Sequence, residues 1–243
     1  MSTLGNRAYV ELRRRLLHGE LAPGTQLVNR KLADDIGLSM TPIREAIHKL
    51  ASEGLIEQVP GSGAFVRTIS LDDLDDLYTV RLALEPMAAA KAALHATPRE
   101  LVSLRSLVKA SLGIVRRLAD AGAGHASAAL NTRWITIDRK IHELVFQASR
   151  SGWLAKVSSE MHLLSFAFSR QQTLPNLLTA DAATRTWESH RRLVHAIASR
   201  DAKLASSVMR EHIRTGARHV LGTRSARPGQ PSRLSAARPA MRR

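Results

Sequence analysis

The chain has 243 residues, 44% apolar, 23% charged and only 4% aromatic, enough for one large domain or two smaller ones built mainly by helix packing. It contains no cysteine, which excludes disulfides, thiolate metal sites and a cysteine nucleophile. The net charge of +15 points to an anionic partner, yet residues 212–243 carry eight arginines and no acid, whereas residues 1–70 hold nine Lys/Arg against seven Asp/Glu.

Residues 6–18 place Ala8, Val10, Leu12, Leu16 and Leu17 at helical spacing. Gly19 and Leu21-Ala22-Pro23-Gly24 then signal a turn. Residues 30–36 read as a short second helix that Gly37 breaks. Ser39 or Thr41 is a suitable cap for a third helix running to about Glu53, with Pro42 in its first turn. Two strand-like runs follow, 55–59 and 64–68, joined by Pro60-Gly61-Ser62-Gly63. Helix, helix, turn, helix and hairpin is the order of a winged helix-turn-helix.

From Ser70 the pattern becomes purely helical. Ser70-Leu71-Asp72-Asp73 and Thr97-Pro98-Arg99-Glu100 read as capping boxes. The first should open a long amphipathic helix to about Ala96. Further helices are expected over 99–120, 128–149, 152–171, 182–199 and 202–221, with breaks at Gly122/Gly124, Ser151-Gly152, Pro175-Asn176 and Arg200-Asp201. The expected fold is therefore mainly α. A winged helix-turn-helix (1–70) precedes an antiparallel bundle of six or seven helices (71–221) and a basic, disordered tail (222–243). No apolar run approaches membrane-spanning length, and Arg7, Arg13, Arg14 and Arg15 interrupt the first twenty residues, unlike a signal peptide. The expected compartment is the cytoplasm.

A recognition helix presents its N-terminal residues to base edges. Here that end carries Ser39, Met40, Thr41 and Arg44, groups suited to phosphate oxygens, guanine edges and thymine methyls. The same elements also suit a protein-binding three-helix domain, so the pattern alone leaves both open. The wording is more specific. Gly19-Glu20-Leu21-Ala22-Pro23-Gly24-Thr25-Gln26-Leu27, Leu32-Ala33, Gly37-Leu38-Ser39, Thr41-Pro42-Ile43-Arg44-Glu45-Ala46 and Glu53-Gly54-Leu55-Ile56 resemble the GntR superfamily of bacterial regulators, and Gly63-Ala64-Phe65-Val66 resembles its wing. The resemblance implies DNA contacts from Arg30, Ser39, Thr41 and Arg44, with Gly61 at the wing. The family often has arginine where this chain has Met40, and Asn or a basic residue where it has Gly61-Ser62. Both departures remove hydrogen-bond donors and imply a different site preference.

In the helical region Asp138 and His142 are four residues apart and share a helix face. His190 and His212 lie in the last two expected helices, and facing helices can converge on a bundle core. One carboxylate and three imidazoles suit zinc, and also manganese, nickel or iron(II). Such residues are also commonly plain surface contacts, and spacing does not show convergence. Again the wording adds to this. Arg81-Leu82-Ala83-Leu84-Glu85, Asp138 with His142, His190-Arg191 with Ala196-Ile197 and Asp201, and Met209 with His212-Ile213 resemble, in order, the FCD ligand-binding domain of the FadR-type branch. That implies Asp138, His142, His190 and His212 as metal ligands, with a small organic acid bound beside the metal. Ile141 and Ser151-Gly152-Trp153 depart from the family's usual residues at positions that affect packing. Carboxylate capture calls for arginine, with Arg81 and Arg170 as candidates; Arg81 equally suits a helix-surface pair with Glu85.

The resulting expectation is a homodimeric regulator, not an enzyme, that binds a double-stranded DNA operator, acts as a repressor and responds to an organic acid. The alternatives are a metal-dependent hydrolase and a nucleic-acid scaffold acting through its basic tail.

Overall fold

Helix ends in this protein are set largely by local capping, and the computed structural model shows it over the residues it describes: 1–122, 125–158, 161 and 178–221. Helix α1 spans Thr3–His18, opened by the Ser2 side chain accepting from Gly5 N. It starts a turn earlier than apolar spacing indicates, because Ser2 provides the cap. Helix α2 covers Asn29–Ile36 and ends at Gly37, whose φ of 72° suits a residue without a Cβ. Helix α3 covers Met40–Ser52, with Ser39 at its N-cap position.

Strands β1 (Ile56–Val59) and β2 (Gly63–Val66) pair antiparallel, with Ile56 opposite Val66 and Val59 opposite Gly63. Pro60 and Gly61 (φ 75°) form the turn between them, closed by Ser62 N donating to Val59 O at 3.0 Å. Proline followed by a positive-φ glycine is the composition of a type II turn. Gln26 adds an isolated bridge to Phe65 and donates its side-chain amide to Ser62 O at 2.9 Å, which ties the wing to the body. Leu12, Ile43, Ala46 and Leu50 fill the core beneath, together with Leu55, Ile56 and Val66.

Helix α4 spans Leu71–His95 and α5 spans Pro98–Asp120. Both expected capping boxes are present: Ser70 with Asp73, and Thr97 with Glu100. Helix α6 covers Ala128–Ala148, residues 152–158 are helical, α7 covers Ala180–Ala198 and α8 covers Ala202–Leu221. Most of the helix expected over 152–171, the Pro175-Asn176 break and the 222–243 tail lie outside the described residues. Helix α4 packs along α8, and α5 packs between α6 and α7.

Helix α4 departs from the simple amphipathic expectation. Arg81 and Glu85 are buried, while Val80, Met87 and Leu94 are exposed. Its inward face is completed by Ala88, Ala89, Ala92 and Ala93, small residues that admit close helix neighbours. The polar pair can face inward because Arg81 donates to Glu85, and Glu85 also meets His142.

The two cores touch. Leu74 of α4 is buried in the winged-helix core, and Leu77, Val220 and Leu221 pack against it. Helices α4 and α8 therefore both run from the bundle to the N-terminal head. No described helix is long and apolar enough to cross a membrane.

Candidate functional site

One turn of α6 places Asp138 and His142 on the same face, α7 supplies His190 and α8 supplies His212. One ligand atom from each lies within 4.8 Å of the others. His142 Nε2 sits 3.1 Å from His212 Nε2, and the three ring centroids are 4.6–5.6 Å apart. Spacing left convergence open, and the fold brings all four together.

The protonation pattern suits a cation. Glu85, fully buried, contacts His142 Nδ1 and accepts from Arg81 Nε at 2.6 Å. An ionised carboxylate only accepts, so His142 presents its Nδ1–H to Glu85, which leaves Nε2 as the ring atom that faces the cluster. Burial pushes His190 down to about 4. Burial also holds His212 well below its usual value, reinforced by His190 and His142. Both rings are therefore neutral near pH 7. Burial lowers His142 as well, but the adjacent Glu85 carboxylate outweighs it and raises that ring. Burial acts to raise Asp138, yet the three histidines and Arg81 hold it below the usual carboxylate range.

His190 Nε2 is buried without a hydrogen-bond partner, and lies 3.5 Å from Asp138 Oδ1. Leaving such an atom unmatched is costly. A buried, unmatched ring nitrogen beside a carboxylate and two further imidazoles is a donor set that a divalent cation meets, so these residues fit one.

Glu85 is the residue of the cluster that the sequence offered only as a surface partner for Arg81. Its pair with Arg81 exists, but in the interior rather than on the helix surface. Its partner His142 is 57 residues away, so no local pattern marks it. A carboxylate behind a metal-ligating histidine fixes the tautomer and ring orientation.

A cavity of about 400 Å³ opens onto the cluster between α4, α6, α7 and α8. Asp138 and His212 line it, with Arg81, Tyr78, Trp134, Arg139, Arg185, Ser189 and Arg192. The Arg81 guanidinium lies 5.1 Å from the Tyr78 ring centroid. Arg81 thus both pairs with Glu85 and faces the cavity. Arg170, the other arginine candidate, lies outside the described residues.

On the N-terminal head, Ser39, Met40, Thr41 and Arg44 are exposed together at the start of α3. Arg30 is exposed on α2 and Gly61 at the wing tip. Ser39 occupies the N-cap position but makes no side-chain bond to the helix, and neither Ser39 nor Thr41 acts as the side-chain cap that the sequence suggested. The neighbouring Glu45 is committed elsewhere, accepting from Ser2 N at 2.9 Å and from Ser2 Oγ at 3.0 Å.

Residues 4–66 match the bacterial regulatory proteins of the gntR family, and residues 76–215 match the FCD domain. The chain belongs to the GntR family and carries an FCD domain. The HTH-type transcriptional regulator McbR of Escherichia coli (strain K12) is 34% identical over 99 residues, 41% of this chain and 45% of McbR, so the matched stretch spans under half of that relative. The probable D-xylose utilization operon transcriptional repressor of Paenarthrobacter nicotinovorans is 30% identical over 201 residues, 82% of this chain and 80% of the relative. The solved structure of E. coli McbR/YncC covers 92% of this chain and all of that one, with a TM-score of 0.72 at 19% identity, a likeness of fold. As a GntR-family member, the protein is a DNA-binding transcription regulator, and its family is one of regulators rather than enzymes.

Proposed function

We propose that this GntR-family regulator is a homodimeric repressor, resident in the cytoplasm, whose operator affinity is set by a small organic acid bound beside a divalent metal. In this reading residues 1–70 form the DNA-binding domain and residues 71–221 the effector-binding and dimerisation domain. Arg30, Arg44, Ser39 and Thr41 contact the operator, Met40 packs on thymine methyls and Gly61 lets the wing approach a phosphate. Asp138, His142, His190 and His212 hold the metal, zinc before manganese, nickel or iron. When bound, the cation supplies positive charge and open positions for a carboxylate.

The observation that carries the metal reading is the buried, unmatched Nε2 of His190 facing Asp138. Helices α4 and α8 supply a route to the head. Helix α4 carries Leu74 and Leu77 near its start and Arg81 and Glu85 in its middle, while α8 carries His212, Val220 and Leu221. An acid that binds two arrangements of these helices unequally shifts their populations, and the two winged heads with them.

The test combines elemental analysis of the purified full chain with operator selection and mobility shifts. The expected result is about one divalent metal per chain, lost in His190→Ala, and an operator affinity that changes at least fivefold when a matching acid is added. A chain that retains no metal, or whose DNA binding ignores both chelator and every acid tried, overturns the proposal.

A further inference from the structure

We infer that the effector is an organic dianion, with one carboxylate at the metal end of the cavity and a second anionic group held at its mouth by Arg139, Arg185 and Arg192. The inference rests on the effector reading above and adds the class of acid.

Exposure divides the cavity's arginines into an inner and an outer set. The Arg81 side chain is 10% exposed and tied to the fully buried Glu85. Arg139, Arg185 and Arg192 line the same cavity but are 33%, 52% and 56% exposed. Arg185, Ser189 and Arg192 recur at i, i+4 and i+7 on α7 and share one face. That stripe runs about 10 Å along the wall, on a different face of α7 from the buried His190. Arg139 follows Asp138 directly on α6. One carboxylate at the inner end therefore leaves three outer guanidinium groups in reach of the ligand's far end.

Those groups are available at little cost. Arg185 pairs with Asp181, which is 75% exposed, and Arg192 meets Glu211 at 3.5 Å with Glu211 64% exposed. Arg139 pairs within its own helix, with Glu143. The Arg185 and Arg192 pairs are exposed and contribute little, whereas the Arg139–Glu143 pair is half-buried; a ligand carboxylate or phosphate can replace the protein carboxylates and gain planar, two-pronged hydrogen bonds. Glu188 and Glu211 share the rim; Glu211 faces Arg192, and Glu188 disfavours a third anionic group. Between the two ends, Trp134, Tyr78 and Ile213 offer apolar wall, which suits a compact carbon body.

Calorimetry on the zinc-loaded full chain tests this with matched acids: glutarate against butyrate, isophthalate against benzoate, and 3-phosphoglycerate against glycerate. In at least one pair the acid with the second anionic group should bind at least tenfold tighter. The pairs distinguish a second carboxylate from a phosphate. That ratio should fall below threefold in Arg185→Gln/Arg192→Gln, with zinc content and melting temperature reporting that the variant is folded. In the wild type it should also shrink as salt rises, since the outer contacts are exposed. Equal binding of both members of every pair, a ratio untouched by the double substitution in folded protein, or a ratio insensitive to salt overturns the inference and leaves the effector site standing. Failure of every acid to bind the metal-loaded chain overturns both.

Discussion

Replacing Glu85 by glutamine separates the role of this carboxylate behind His142 from that of the proposed metal ligands themselves. Glu85 is fully buried, contacts His142 Nδ1 and accepts from Arg81 Nε at 2.6 Å. The amide keeps the size and one acceptor but removes the charge. Two consequences follow. Loss of an outer partner of a ligating histidine lowers metal affinity by about 10–100-fold, and a zinc competition titration with a chromophoric chelator reads this directly. Arg81 is also left as a buried charge without its counter-ion. Breaking such a pair costs about 3–5 kcal/mol, and Glu85→Gln falls at the lower end because the amide oxygen still accepts one hydrogen bond. Thermal melts of metal-free protein read that part separately. Arg81→Met/Glu85→Gln removes both charges, so it should recover much of the stability without recovering metal affinity. Zinc affinity within threefold of wild type in Glu85→Gln would refute the assignment of Glu85 to the site.

Three further predictions concern pH and DNA. In the metal-free protein burial holds His190 at about 4, and His212 is lowered too, whereas an unfolded histidine titrates near 6.5. Between these values the unfolded chain binds more protons, so stability is full above pH ~6.5 and is lost as pH falls towards 4. His190 alone contributes about 2 kcal/mol of loss between pH 6.5 and 5. His142, raised by Glu85 against the effect of burial, has the opposite sign. Its contribution is fully present below pH ~6.5 and is lost as pH rises through its folded value, so it does not offset the acid-side loss. The melting temperature of metal-free protein should therefore drop from pH 6.5 to 5, and a flat or rising profile would contradict the buried neutral histidines. On the DNA side, Arg44→Ala should weaken binding to a selected operator by about 1–3 kcal/mol. Met40→Arg should move the selected consensus towards guanine at the facing position, and an unchanged consensus would remove Met40 from the base-reading surface.

Much of the fold was legible because its signals act over a few residues. Ser70 with Asp73 and Thr97 with Glu100 close their capping boxes across three positions, and Pro60-Gly61 forms its turn within four. Gly37 ends α2 through its own backbone. The N-terminal motif was readable for the same reason: a helix-turn-helix is a short run whose apolar spacing and turn residues lie side by side in the chain. Sequence could also name Asp138, His142, His190 and His212 as metal-ligand types.

Their spacing could not supply their meeting, which only the family resemblance implied. His142 and His212 are 70 residues apart and His142 and Glu85 are 57 apart, so their contact depends on how α4, α6, α7 and α8 pack. The same packing reversed the reading of α4, where Arg81 and Glu85 are buried and Val80, Met87 and Leu94 are exposed. Periodicity assumes that charged residues face water. Here a charged pair is enclosed because it is satisfied internally, by each other and by His142. The sequence by itself therefore determined the family and, over the described residues, the elements and their order. Only the tertiary structure decided that three histidines and an aspartate share one point, with a buried carboxylate behind them and arginines in front. The reason is that hydrogen bonds and burial across helices are properties of packing, which no local run of residues encodes.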